Sequence, residues 1–170
     1  GHPLSGTTTV SVADESESRH DLERLTKEAL AYWTANAVEY ADVEVTFELT
    51  TTKPDIELVF LERRNELQGC QKYADQGVLG CAPLLQAGHA PDRPITVEVL
   101  AGDRPYDEIL ATVKHELGHT LGLTHDDEPA HLMSNDIEDR LPEYIPRTQI
   151  LESVENAWHD RTAATTAYDR

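Results

Sequence analysis

The sequence predicts one α/β (α+β) domain, a twisted mixed β-sheet with helices packed on it. Three observations lead there. Short stretches rich in β-branched residues are interleaved with three stretches of helical period, and no internal repeat or low-complexity tract divides the chain. The 170 residues suffice to enclose a hydrophobic core without help from cross-links.

The elements follow in order. Residues 7–13 (TTTVSVA) alternate and read as a strand. Asp14, Ser16 or Ser18 can then cap a helix that runs to about Tyr40, with Leu22, Leu25, Ala29, Tyr32, Trp33 and Ala37 along one stripe. Residues 43–49 (VEVTFEL) alternate strictly, and residues 56–61 (IELVFL) form a more buried strand. Residues 62–94 are irregular, with a short strand around 77–82, and residues 95–100 (ITVEVL) are another strand. Pro105 opens a helix through about Leu121 as its first helical residue. Residues 126–146 read as loop, and residues 148–163 close the chain as a helix with Ile150, Leu151, Val154 and Trp158 on one face.

Thirty-two acidic residues against fourteen basic ones leave a formal charge of −18, and the only lysines are Lys27, Lys53, Lys72 and Lys114. Such a surface repels phosphate backbones and anionic headgroups, which speaks against nucleic acid and membrane surfaces as partners. No apolar run is long enough to span a bilayer. Dense carboxylates with little lysine suit concentrated salt, where repulsion is screened within about 3 Å at 1 M. Cys70 and Cys81 match neither a CxxC redox pair nor a zinc ribbon. They fit one disulfide in an exported protein, or two thiols in a reducing compartment. The start at Gly1-His2-Pro3, without a methionine, fits a tag remnant or a processed end.

The chemistry is written in residues 115–126, HELGHTLGLTHD. On a helix His119 lies one turn beyond His115, about 40° round, so both imidazoles leave the same face. Ile109, Val113 and Leu117 fall on roughly the opposite side, towards the sheet. Glu116 sits beside the histidine pair, placed to act on a water held by a metal rather than to ligate the metal itself. Gly122 can end the helix in a left-handed conformation, which lets His125 return to the same point. Three neutral imidazoles and one open position describe a catalytic zinc site rather than a closed structural one.

This segment resembles the signature of the metzincin clan of zinc endopeptidases, HExxHxxGxxH followed by a methionine turn. Met133, the single methionine, lies in Ala130-His131-Leu132-Met133, a spacing similar to the matrixin branch. The resemblance implies zinc on His115, His119 and His125, Glu116 as general base, and Met133 as the apolar floor beneath the histidines. Residues 77–83 (GVLGCAP) resemble the matrixin edge strand, which implies that Leu79 and Gly80 pair with an extended peptide. Pro142-Glu143-Tyr144 resembles the wall of the pocket for the residue after the scissile bond, with Tyr144 as its aromatic member. Asp126 departs from the matrixin serine, and Cys81 stands where matrixins carry a histidine for a second zinc. A Cys70–Cys81 disulfide would replace that metal as the clasp. No calcium site is assigned, since no stretch has the ligand pattern of an EF-hand loop.

The resulting expectation is one metzincin-like catalytic domain over residues 1–170. Its upper part, about 1–122, holds the sheet and active-site helix, and its lower part, about 123–170, holds the methionine turn and closing helix. The expected function is a secreted zinc endopeptidase acting on extended peptide or unfolded protein, with the monomer favoured. The alternatives are a zinc-stabilised peptide-binding module without turnover and a processing peptidase of narrow specificity.

Overall fold

The computed structural model describes residues 1–70 and 77–141. Five strands form one sheet: β1 (Gly6–Asp14), β2 (Val45–Leu49), β3 (Ile56–Leu61), β4 (Gly80–Cys81) and β5 (Ile95–Leu100), in the spatial order β2-β1-β3-β5-β4. The first four in that order are parallel, and β4 is antiparallel to β5 at one edge. This is the expected mixed architecture, antiparallel edge included.

Strand alternation divides the apolar residues between two faces. Ile56, Leu58 and Phe60 of β3 and Ile95, Val97 and Val99 of β5 belong to the main core, which also takes in the buried stripes of α1 (Leu22–Ala41) and α2 (Tyr106–Thr120). Val59, Leu61 and Leu100 join a smaller cluster on the other face, with Leu67, Cys70, Val78, Leu79, Cys81 and Ile137. Burial on both faces is why β3 reads as an apolar run broken only by the half-buried Glu57. Trp33 of α1 is fully buried, and its Nε1 donates to the Lys114 carbonyl at 2.8 Å, fixing α1 against the helix that carries the histidines.

Several boundaries differ from the sequence expectation. The cap of α1 is Asp21, whose carboxylate accepts from the Arg24 N–H at 3.0 Å. Asp14 and Ser16 are instead used in a turn, where Asp14 accepts from both the Ser16 N–H and hydroxyl. Strand β2 begins at Val45 rather than Val43, because the Val43 N–H still completes the end of α1 by donating to the Ala37 carbonyl. Pro105 is the N-cap of α2, one place before the first helical residue. The stretch expected as loop carries two single helical turns, α3 (Ala130–Met133) and α4 (Ile137–Arg140). The N–H groups of Leu132 and Met133 converge on the Pro129 carbonyl, and Asp136 caps α4 through the Glu138 N–H, so each turn closes on short-range bonds. Tyr144 and the expected helix over residues 148–163 lie outside the described residues.

Candidate metal centre and active site

Helix α2 ends in the way its sequence requires. Gly122 has φ +96°, the Gly122 N–H donates to the His119 carbonyl at 2.9 Å, and the Leu123 N–H reaches back to the Gly118 carbonyl at 3.0 Å. This paired closure needs a left-handed residue at Gly122. A Cβ there would also lie 2.9 Å from the Leu85 carbonyl oxygen, so glycine is demanded twice. The chain then reverses and brings His125 back to the helix. That reversal is held by Asp127, whose carboxylate accepts from the Thr124 N–H at 2.7 Å and its hydroxyl at 3.0 Å. Asp126, the residue that departs from the matrixin pattern, is exposed.

The three imidazoles converge, with one ligand nitrogen from each lying within 4.8 Å of the others. His115 is fully buried, His119 nearly so and His125 half-buried. Whether these rings suit a metal can be read from their hydrogen bonds. His115 Nδ1 meets the Leu132 carbonyl at 2.8 Å, and His119 Nδ1 meets the Leu123 carbonyl at 2.7 Å. A carbonyl only accepts, so each ring carries its proton on Nδ1 and turns the Nε2 lone pair inward. Those two Nε2 atoms are 3.1 Å apart. Facing lone pairs at that distance repel, and a shared cation relieves the repulsion. The donor set therefore fits a metal, with backbone carbonyls fixing the tautomers from outside.

Gly118, next to His119 on α2, and Met133, next to Leu132, are in close contact. Met133 is fully buried, and a Cβ on Gly118 would lie 2.6 Å from its Sδ and 3.1 Å from Cζ2 of Trp33. Gly118 is thus the hole into which the thioether fits. The residue before Met133 supplies the carbonyl that orients His115, so the turn that packs Met133 on Gly118 also sets the His115 ring.

Edge strand β4 closes the other side. Glu116 is fully buried on α2, and a Cβ on Gly80 would lie 2.9 Å from both Cγ and Oε2 of Glu116 and 2.9 Å from the Glu98 carbonyl oxygen. The edge backbone can approach the carboxylate this closely only because position 80 has no side chain. Cys81 is disulfide-bonded to Cys70, with Cα atoms 5.9 Å apart. Glu98 of β5 stands opposite Cys81 in the ladder, and its buried carboxylate accepts from the Gln68 N–H at 3.0 Å and the Gly69 N–H at 2.8 Å. Clasp and carboxylate together hold residues 68–70 against the strand.

The matrixin family model matches residues 5–145. The chain belongs to the matrixin family. No curated protein gives a match to the sequence. As a matrixin the protein is a zinc-dependent metallopeptidase by family, and three histidines within metal-binding distance fit a metzincin zinc site. No helix among its described residues is long and apolar enough to cross a membrane.

The sequence-predicted residues His115, Glu116, His119, His125, Met133 and Gly80 are brought together in this matrixin. Leu79 lies beside Gly80, but it is buried in the smaller cluster on the outer face. Tyr144 falls outside the described residues. Sequence reasoning missed Gly118 and Glu98. A glycine inside a helix costs about 1 kcal/mol against alanine, so Gly118 carried a readable sign of close approach. Glu98 carried a weaker one, as the only acid in an otherwise apolar or β-branched strand, ITVEVL.

Proposed function

We propose that this matrixin is an endopeptidase that cleaves an extended peptide lying along the free edge of β4, with His115, His119 and His125 holding zinc and Glu116 as the general base. The observation that carries this reading is the position of Glu116. It is a buried carboxylate on the same helix as two of the histidines, pressed against the edge-strand backbone at Gly80. A module that only bound peptide would have no use for a buried acid there, since burying a carboxylate is costly.

Zinc supplies Lewis acidity towards the scissile carbonyl and makes the attacking water easier to deprotonate. Glu116 takes the proton from that water and hands it to the departing amine. Gly80 offers backbone groups to the substrate strand. Met133 and Gly118 keep the histidine rings from tilting, and the carbonyls of Leu123 and Leu132 hold the protons on the outer nitrogens. Replacing Glu116 by Gln should leave zinc bound, by metal analysis, and lower kcat/KM by about 10²–10⁴-fold. Undiminished cleavage by that variant would sink the mechanism.

The disulfide supports an exported protein, and the charge of −18 supports work in concentrated salt. On dialysis to low salt the near-UV circular dichroism should fade, and it should return when salt is restored. An unchanged spectrum and Tm between low and molar salt would remove the habitat from this reading.

A further inference from the structure

The chain that leaves the edge strand is tied down at both ends. Gly80 lies against Glu116, and further on the Leu85 N–H donates to the His119 carbonyl at 3.1 Å. Residues 80–85 therefore border α2 from Glu116 towards its end, with Pro83 and Leu84 exposed along them. The Leu85 carbonyl oxygen is the one packed on Gly122, and His2 Nε2 meets it at 2.9 Å. The neighbours of His2 are bonded to the same region. The Gly1 carbonyl accepts from the Gly88 N–H at 3.0 Å, and the Pro3 carbonyl from Arg93 Nη2 at 2.7 Å.

These bonds fix the protonation of His2. The Leu4 N–H donates to His2 Nδ1 at 3.0 Å, so the ring proton sits on Nε2 and is donated to the Leu85 carbonyl. A second proton has to enter at Nδ1, facing an N–H. Leu4 is held in place, because it is fully buried and its carbonyl accepts from the Thr8 hydroxyl at 2.8 Å. The ring is then the part that turns, and turning takes Nε2 off Leu85. His2 is half-buried and lines a surface pocket, so protons reach it. Around it stand the α-amino group of Gly1, His89, Arg93 behind Pro3, and Asp42 and Glu44 across the pocket. Burial comes first in holding the imidazole below its ordinary pKa; the Leu85 carbonyl opposes it, and His89 and the α-amino group add to it. The contribution of the neutral ring is thus present above the ordinary value and lost as the pH falls through the lower folded one.

We propose that His2 is a positioning residue for the substrate wall: its neutral ring seats residues 82–86 on the end of α2, and protonation releases them and weakens substrate binding. The effect on substrate rests on the endopeptidase reading above, whereas the seating does not.

The test uses the full chain, zinc-loaded, in molar salt. Amide hydrogen exchange of Leu85, corrected for the intrinsic rate at each pH, is followed from pH 8 to about 5 beside the amides of β3. In the wild type the protection of Leu85 relative to β3 should fall about tenfold across that range. His2→Gln supplies an amide that donates to Leu85 and does not titrate, so its protection should stay high throughout. His2→Ala should be low at every pH. A wild-type protection that does not change, or a His2→Gln variant that follows the wild type, overturns the seating. In peptide cleavage, KM of the wild type should rise about fivefold more in acid than KM of His2→Gln, with the same kcat. The zinc ligands are common to both, so their own acid sensitivity cancels. Equal KM values overturn the claim on substrate binding. Should the wild type cut no peptide, the endopeptidase reading fails, and the exchange measurement still decides the seating.

Discussion

The metal centre and the edge strand face each other across Glu116, and they are held by opposite means. The groups that orient the histidine rings come from residues 115–133: the carbonyls of Leu123 and Leu132, the fit of Met133 into Gly118, and the turn at Gly122, while Trp33 and Leu85 brace the helix from outside. The supports of the edge come from three distant stretches, with Arg64 and residues 68–70, residues 78–81, and Glu98. One side is a local motif that assembles with its own helix. The other is a long-range clasp that forms only when the sheet does. The metal side should therefore tolerate damage to the edge better than the edge tolerates loss of its clasp.

The largest effect that can break this comparison comes from the disulfide. Changing both Cys70 and Cys81 to serine should cost about 3 kcal/mol, from the entropy of an open loop of this length. It should raise KM while zinc stoichiometry is kept. If the serine variant loses its zinc, the two sides are one cooperative unit and the comparison fails. Gly118→Ala probes the opposite side. The new methyl must push Met133 away, costing about 1–3 kcal/mol, and should weaken zinc affinity by about tenfold through the displaced Leu132 carbonyl. Chelator competition and a melting curve read both effects, and an unchanged zinc affinity would show that the methionine turn is only packing. The smallest effect expected is from Glu98→Gln, about 1–2 kcal/mol, because an amide oxygen still accepts from the loop but without the charge. Its signature should be a few-fold rise in KM with kcat nearly kept. A fall in kcat alone would place Glu98 on the metal side of the comparison.

Much of the protein was legible in its residues. The strands at 56–61 and 95–100 match to the residue, because each is a compact run of mostly apolar and β-branched residues with a single acid, Glu57 or Glu98, inside it. The start of α1 was misplaced because Asp14, Ser16, Ser18 and Asp21 offer the same capping chemistry, and the strand's reach to Asp14 selects among them only after folding. The turns α3 and α4 were not foreseen. Each is only one turn long, too short for a periodic signal, and rests on single contacts such as the Pro129 carbonyl.

The sequence by itself determined the chemistry: three imidazoles, a carboxylate beside them and a glycine to turn the chain, all within one helix and the turn that follows. Helical geometry converts that spacing into a shared point in space, so no distant contact was needed to read it. Only the tertiary structure decided what surrounds the point. It set Gly118 beneath the thioether, Gly80 against Glu116, Glu98 on the loop of Cys70, and Arg64 on the carbonyl of Val78. These pairs join residues whose separation along the chain carries no period, and they meet only because strand pairing and core packing bring β4, β5 and α2 together.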